Sequence, residues 1–142
     1  MSIHSFSGEH EFLSNFYPSQ VVFRGRDFPT VEHAYQSAKT DVETEITAIQ
    51  VATFPGRAKR LGQQVQKRAS WEQEKVDVMR QLLRQKFCQG ELREKLLQTG
   101  RRHLMEGNHW GDRFWGVCEG EGENHLGRLL MDVRREILEE RL

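Results

Sequence analysis

The sequence lacks most of the features that would take it out of the ordinary globular class. Its two cysteines, Cys88 and Cys118, stand at no zinc or redox spacing. They are expected to be free thiols in a reducing cytoplasm, a Cys88–Cys118 disulfide being the minor alternative. No stretch approaches the roughly 18 consecutive apolar residues of a membrane-spanning helix. The opening Met1-Ser2-Ile3-His4-Ser5-Phe6 has neither the basic nor the apolar region of a secretion signal. A cytoplasmic protein with no membrane partner is therefore expected. Charge of one sign is missing too: 21 Lys and Arg face 21 Asp and Glu. Non-specific nucleic-acid binding needs clustered positive charge, and the short basic runs Arg57-Ala58-Lys59-Arg60 and Arg101-Arg102-His103 read as solvated surface.

Several catalytic signatures are absent as well. There is no G-x-S-x-G elbow and no P-loop. Gly120-Glu121-Gly122 does not continue into a dinucleotide fingerprint, because Gly127 falls at the wrong spacing. The six histidines, His4, His10, His33, His103, His109 and His125, form no metal-ligand pattern. Neither a metal nor a cofactor is expected.

What is present is a chain of 142 residues, 37% hydrophobic and 30% charged, long enough to fold as one domain without staples. The first 28 residues read as extended, with Gln20-Val21-Val22-Phe23 as a strand and Gly25 as a turn. Thr30 is placed to cap a helix. A second helix is expected at about 41–52 with Asp41 as its cap, and a third from Gly56 to about Lys67. Ser70-Trp71-Glu72-Gln73 has capping-box form, and opens a helix carrying Met79, Leu82, Leu83 and Phe87 that Gly90 would end. Leu92, Leu96 and Leu97 mark a short helix stopped by Gly100, and residues 103–106 a short strand. Residues 107–125 form a long Gly-rich segment without helical period, the kind of loop that is usually functional. Leu126, Leu129, Leu130, Val133 and Ile137 make the buried stripe of a last helix. The fold class is α+β: a mainly helical single domain, residues 1–142, around a small β-sheet.

Three segments carry candidate chemistry. In Glu32-His33-Ala34-Tyr35-Gln36-Ser37-Ala38-Lys39, helical spacing puts Glu32, Gln36 and Lys39 on one face, with Glu32 and Lys39 about 10.5 Å apart along the axis. On periodicity alone this is also the pattern of an ordinary solvated face. In the Gly-rich segment, Trp110 and Trp115 offer indole faces on which a base can stack, and Gly116 permits close backbone approach. Asn124 stands where the N–H groups of the last helix can hold an anion; equally, it is a plain cap and the tryptophans plug the core. In Leu13-Ser14-Asn15-Phe16-Tyr17-Pro18, Asn15, Phe16 and Tyr17 either line a pocket or form a turn.

Taken in order, these segments resemble the YbiA-like/NADAR family. The matching residues are Phe6 and Leu13-Ser14-Asn15-Phe16-Tyr17-Pro18, then Glu32-His33-Ala34-Tyr35-Gln36 with Lys39, Ala58-Lys59, Gly62, Trp71, Lys75, Met79 and Lys86-Phe87. Thr99-Gly100, Leu104 and Glu106 follow, then Asp112-x-x-Trp115-Gly116 and Asn124-x-Leu126-Gly127-x-x-Leu130-Met131-x-x-Arg134. Cys118-Glu119 departs from the more glycine-like stretch expected there. The resemblance implies a helix-rich α+β fold and hydrolysis of an N-glycosidic bond between a ribose or phosphoribose and a nitrogen base. It points first to phosphoribosylamino-pyrimidine intermediates of riboflavin biosynthesis. Removal of ADP-ribose from guanine in DNA and non-catalytic binding of NAD or ADP-ribose are the alternatives. The expected partners are thus a small phosphoribosyl or ADP-ribosyl substrate, or ADP-ribosylated nucleic acid.

Cleaving such a bond calls for a carboxylate near C1′ and a proton for the leaving nitrogen. Glu32 and Asp112 are the carboxylate candidates, and Lys39 is a candidate nucleophile if its amine is neutral. Asn15, Phe16, Tyr17, Arg24, His33, Gln36, Trp110, Trp115, Gly116 and Asn124 are the expected substrate contacts, with Arg24, Lys59 or the last helix as phosphate holders.

Overall fold

The computed structural model describes residues 1–142. Its elements are β1 (Ser2–Ile3), a 3₁₀ turn (Gly8–Leu13), β2 (Val21–Phe23), β3 (Arg26–Phe28), α1 (Val31–Ser37), α2 (Glu43–Gln50), α3 (Pro55–Gly62), α4 (Trp71–Phe87), α5 (Gly90–Gln98), β4 (His103–Leu104), β5 (Gly107–Asn108), β6 (Val117–Cys118) and α6 (His125–Leu138). This is an α+β architecture, but the strands form three separate two-stranded pairs rather than one small sheet. No helix is long and apolar enough to cross a membrane. The chain divides into two compact units, residues 15–86 and residues 1–14 with 87–142.

In the unit of residues 15–86, β2 and β3 form an antiparallel hairpin with Val21 opposite Phe28. Arg24 and Gly25 both take positive φ, 52° and 76°. That is the type I′ geometry whose twist matches paired strands, and it is why a glycine sits at the tip. The free edge of β2 is covered by α4: the Gln85 amide donates to the Val22 carbonyl at 2.7 Å and accepts from the Val22 N–H at 2.8 Å. An edge closed by a side chain offers no template for a further strand. Thr30 caps α1 as expected, its hydroxyl accepting from the His33 N–H at 3.1 Å. Helices α2 and α3 pack on α1, with Ile49, Ala52 and Ala58 buried at their junction.

Several local expectations differ from the structure. Residues 8–13 coil into 3₁₀ rather than extending, as burial of Phe12 and Leu13 on adjacent positions requires a bend. Asp41 does not cap α2: the Thr40 hydroxyl accepts from the Val42 N–H, and Asp41 pairs with Arg24 instead. Helix α3 begins on Pro55, whose missing N–H is harmless at the first position, and stops at Gly62, short of Lys67. Gly90 opens α5 instead of closing α4.

In the other unit, β1 and β4 run parallel with Ile3 beside Leu104, and α6 packs on β4. Helix α6 buries Leu126, Leu129, Leu130, Val133 and Ile137, the expected stripe. Arg134, also buried, reaches the end of α5, donating to Thr99 Oγ1 at 2.8 Å and to the Arg102 carbonyl at 2.9 Å. Residues 107–125 are not wholly irregular: β5 and β6 form a short parallel pair within them. Cys88 is exposed and Cys118 buried, both as free thiols.

Candidate active site

Helix α1 is buried along its whole length, including its polar residues. Glu32 is 7% and Gln36 4% exposed, so the face shared by Glu32, Gln36 and Lys39 is not a solvated one. A buried carboxylate demands partners. Gln36 Nε2 supplies one, donating to Glu32 Oε2 at 2.6 Å. This bond fixes the amide, because turning it would set two acceptors against each other. Gln36 Oε1 then has no hydrogen-bond partner and lies against the α-carbon of Gly62, where any Cβ would come within 1.9 Å of it. Glycine is the residue that fits there without displacing the Gln36 side chain.

Lys39 lies just beyond the helix, half-buried, after the C-cap at Ala38. The expected axial separation therefore holds only as far as the helix does. Burial lowers the Lys39 pKa below the ordinary lysine value; the charge of Glu32 opposes the shift, and the nearby Lys67 and Lys75 add to it. The Lys39 ammonium stands 5.7 Å from the centre of the Tyr35 ring, and that ring packs against Trp71 at 5.2 Å. The turn is held by Arg68. Its backbone N–H donates to the Lys39 carbonyl at 2.8 Å and its Nε to the Ala38 carbonyl at 2.9 Å. Arg68 thus closes the carbonyl end of α1 and was not foreseen, because it lies 29 residues further along the chain.

Asn15 joins this group. Its carbonyl accepts from the Glu32 N–H at 3.1 Å, and its side chain, 9% exposed, contacts Met79 Sδ through Nδ2 at 3.6 Å. His33 points elsewhere. It is 1% exposed, its Nε2–H donates to the Ala52 carbonyl at 2.9 Å and its Nδ1 accepts from the Thr30 hydroxyl at 2.7 Å. Both nitrogens are used inside the protein, so His33 fastens α1 to the end of α2 and has no atom left for a ligand. Arg24 donates to the Thr40 carbonyl at 3.2 Å and to Asp41 Oδ1 at 3.3 Å. It borders a cleft of about 130 Å³ shared with Arg26, Asp41 and Glu43, where two carboxylates already answer the arginines. Tyr17 is half-buried with the Lys86 ammonium 5.8 Å from its ring centre. Phe16 is 41% exposed.

The candidates in the other unit form a second arrangement. Asp112 Oδ1 accepts from the Trp115 N–H at 2.9 Å and the Phe114 N–H at 3.2 Å, an Asx-type turn. Asn108 clasps it from the other side: Oδ1 accepts from the Asp112 N–H at 3.1 Å, while Nδ2 donates to the Asp112 carbonyl and to Glu106 Oε2, both at 2.9 Å. The role of Asn108 passed unnoticed in the sequence; an Asn four residues before an Asp in a Gly-rich loop is the signal it offers. Gly116 is buried, and a Cβ there would strike the Glu106 carboxylate at 2.0 Å and its carbonyl at 2.2 Å. Trp115 is half-buried, edge-on to Phe114, whereas Trp110 is 56% exposed.

Asn124 precedes α6 in the left-handed conformation and does not cap it. Its Oδ1 accepts from the Glu106 N–H at 3.0 Å and its Nδ2 donates to the Leu104 carbonyl at 2.9 Å. The first N–H groups of α6 are taken as well, that of His125 by the Phe114 carbonyl and that of Leu126 by the Trp115 carbonyl. An anion held by those donors, as expected from position, would have to displace the loop.

The class is therefore a small α+β protein with an acid, an amide and an amine of lowered basicity along one buried helix. The NADAR domain matches residues 4–138. A riboflavin biosynthesis protein of Vibrio vulnificus is 41% identical over 135 residues, covering 92% of this chain but 36% of its own length. N-glycosidase YbiA of Escherichia coli is 36% identical over 141 residues, covering 96% of this chain and 88% of its own. The chain thus spans about a third of the Vibrio protein and most of YbiA. The NMR structure of E. coli YbiA superimposes with a TM-score of 0.86 at 35% identity, over 99% of this chain and 86% of that one. This chain belongs to the NADAR domain family.

Proposed function

We infer that this protein is an N-glycosidase that hydrolyses the bond between a ribose or phosphoribose and a nitrogen base, with phosphoribosylamino-pyrimidines of riboflavin biosynthesis as its substrates. The observation that carries the reading is the Glu32–Gln36 pair buried on α1 with the depressed Lys39 amine at the end of the same helix. The names of the relatives, one an N-glycosidase and one a riboflavin biosynthesis protein, support the same substrate class.

In the ring-opened form of a ribosylamine, C1′ is doubly bonded to the protonated leaving nitrogen, an iminium. The neutral Lys39 amine adds to C1′, and the proton it sheds passes by way of Glu32 to the leaving nitrogen. The base departs with the C1′–N electron pair, leaving a Schiff base between C1′ and Lys39. Water adds to C1′, the lysine leaves as an amine, and the sugar is released as its aldehyde. One water is consumed, and one base and one sugar are formed. Gln36 orients the Glu32 carboxylate. Asp112 is assigned to shaping its loop, since its Oδ1 is occupied by two backbone N–H groups.

The test is base release from a phosphoribosylamino-pyrimidine and, in parallel, from ADP-ribosylated guanine in DNA. Release from the first alone is expected; release from the second alone would move the substrate to the DNA lesion. Borohydride added during turnover is expected to leave a reduced sugar adduct on Lys39. If no adduct forms and Lys39→Ala keeps most of the activity, the covalent route is wrong.

A further inference from the structure

Two buried side-chain oxygens have no hydrogen-bond partner, Asn15 Oδ1 and Gln36 Oε1. Gln36 Oε1 rests against Gly62, and that contact accounts for where it points. Asn15 has no such account. Its orientation is set on one side by Met79, since a thioether sulfur accepts and Nδ2 is the end that donates. Its oxygen is consequently turned the other way, in a residue nine-tenths buried. An orphaned buried acceptor destabilises a fold, and a leucine of similar shape would avoid that. The main-chain carbonyl of the same residue accepts from the Glu32 N–H at 3.1 Å, which ties Asn15 to the first turn of the helix that carries the proton-relaying acid of the reading above.

We propose that Asn15 Oδ1 is a specificity-determining acceptor for the 2′-hydroxyl of the substrate's ribose. The inference rests on the N-glycosidase reading for the identity of the occupant. The chemistry selects this group for two reasons. A carboxamide oxygen accepts and does not donate, so its partner carries an N–H or O–H. The hydroxyl on C2′ is the donor on the carbon next to the one that Lys39 attacks, so an acceptor that holds it also positions C1′. A site that leaves an acceptor unpaired when the hydroxyl is missing rejects the deoxy sugar more strongly than a hydrophobic pocket rejects a change of one methylene. The protein is thereby a ribosidase that discriminates against 2′-deoxyribosides, whichever base the sugar carries.

The experiment separates this from catalysis by using the sugar alone. Binding of ribose 5-phosphate and of 2-deoxyribose 5-phosphate is measured by calorimetry for the native protein and for Asn15→Leu. The native protein is expected to bind the ribose compound about tenfold or more tightly, and Asn15→Leu is expected to weaken that compound and close the gap. Its melting temperature is expected to be unchanged or higher, because the substitution removes an unpartnered polar atom; this guards against a misfolded variant. Equal binding of the two sugars by the native protein, saturable binding of neither, or a gap that survives in Asn15→Leu would each overturn the proposal. Discrimination between the sugars without base release from any riboside would overturn the N-glycosidase reading and leave the hydroxyl subsite standing.

Discussion

Helix α1 and the Gly-rich segment before α6 both hold an acid and an amide inside the protein, but they use them in opposite ways. In the Gly-rich segment the polar groups answer the backbone. Asp112, Asn108 and Asn124 between them take the N–H groups of residues 106, 112, 114 and 115 and the carbonyls of residues 104 and 112. On α1 the acid and amide bond to each other, the amide oxygens of Asn15 and Gln36 are left without partners, and the nearby amine is made less basic. The first pattern holds a chain without regular structure in one shape. The second keeps charged and polar groups buried at a loss to stability, which is the usual mark of a site kept for chemistry.

The comparison is broken most directly at Lys39. Lys39→Met is expected to lower kcat on the order of 10²–10⁴-fold while leaving the melting temperature unchanged or higher, since a buried ammonium is removed. The native rate should rise with pH and level off below the ordinary lysine pKa, because burial pulls the amine down and the neutral form attacks. A rate that is flat with pH, or a variant within tenfold of native, would return α1 to a structural role.

Two glycines sharpen the contrast at the next level of effect. At Gly62 an added Cβ meets the Gln36 side chain, while at Gly116 it meets the Glu106 carbonyl at 2.2 Å as well as its carboxylate. A side chain can give way and a backbone cannot. Gly116→Ala is expected to cost about 3 kcal/mol of stability by overpacking, Gly62→Ala nearer 1 kcal/mol. Gly62→Ala should nevertheless cut kcat about ten- to a hundredfold, by pushing Gln36 off Glu32. The two effects are read by urea unfolding and steady-state rates; a ranking reversed on either measure would refute the division.

Much of this arrangement was legible in the chain, and the rest was hidden for physical reasons. The Thr30 cap, the Arg24-Gly25 turn and the α6 stripe are local, set by residues within four positions of one another. The helix bearing Glu32 and Gln36, with Lys39 just past its end, could be read, but not that its polar face is interior: periodicity gives the side of a helix, and burial depends on what packs over it. The same limit hid Arg68 at the end of α1 and made His33 look like a ligand contact. Helix α2 starts after Val42 with no side-chain cap while Asp41 turns to Arg24, and the carbonyls of 114 and 115 take the first N–H groups of α6 beside Asn124; both outcomes depend on neighbours that helix-start patterns do not show.

Lys86 tests the stability side. It is 3% exposed, and burial lowers its pKa from the ordinary value to about 7. Between pH 7 and about 10.5 the unfolded chain therefore holds a proton that the folded protein does not, so stability should rise with pH across that window and be flat below it. The slope should reach at most about 1.4 kcal/mol per pH unit, and Lys86→Met should remove it. Urea unfolding at pH 6, 8 and 9.5 measures the slope; an identical slope in the variant would assign the pH dependence to other groups.

The smallest expected effect is at Asp112, and it separates the two regions most finely. Asp112→Asn keeps the Oδ1 acceptor that the Phe114 and Trp115 N–H groups need and removes only the charge. If Asp112 shapes the loop, kcat should fall less than about threefold and stability should change by less than about 0.5 kcal/mol, whereas Asp112→Ala, which abandons both N–H groups, should cost about 1–2 kcal/mol. If Asp112 carries the proton, the order of effects inverts: Asn would be nearly inactive despite normal stability. Steady-state rates of the two variants beside their unfolding curves decide the matter. A large loss in Asn alone would show that Asp112 does more than shape its loop.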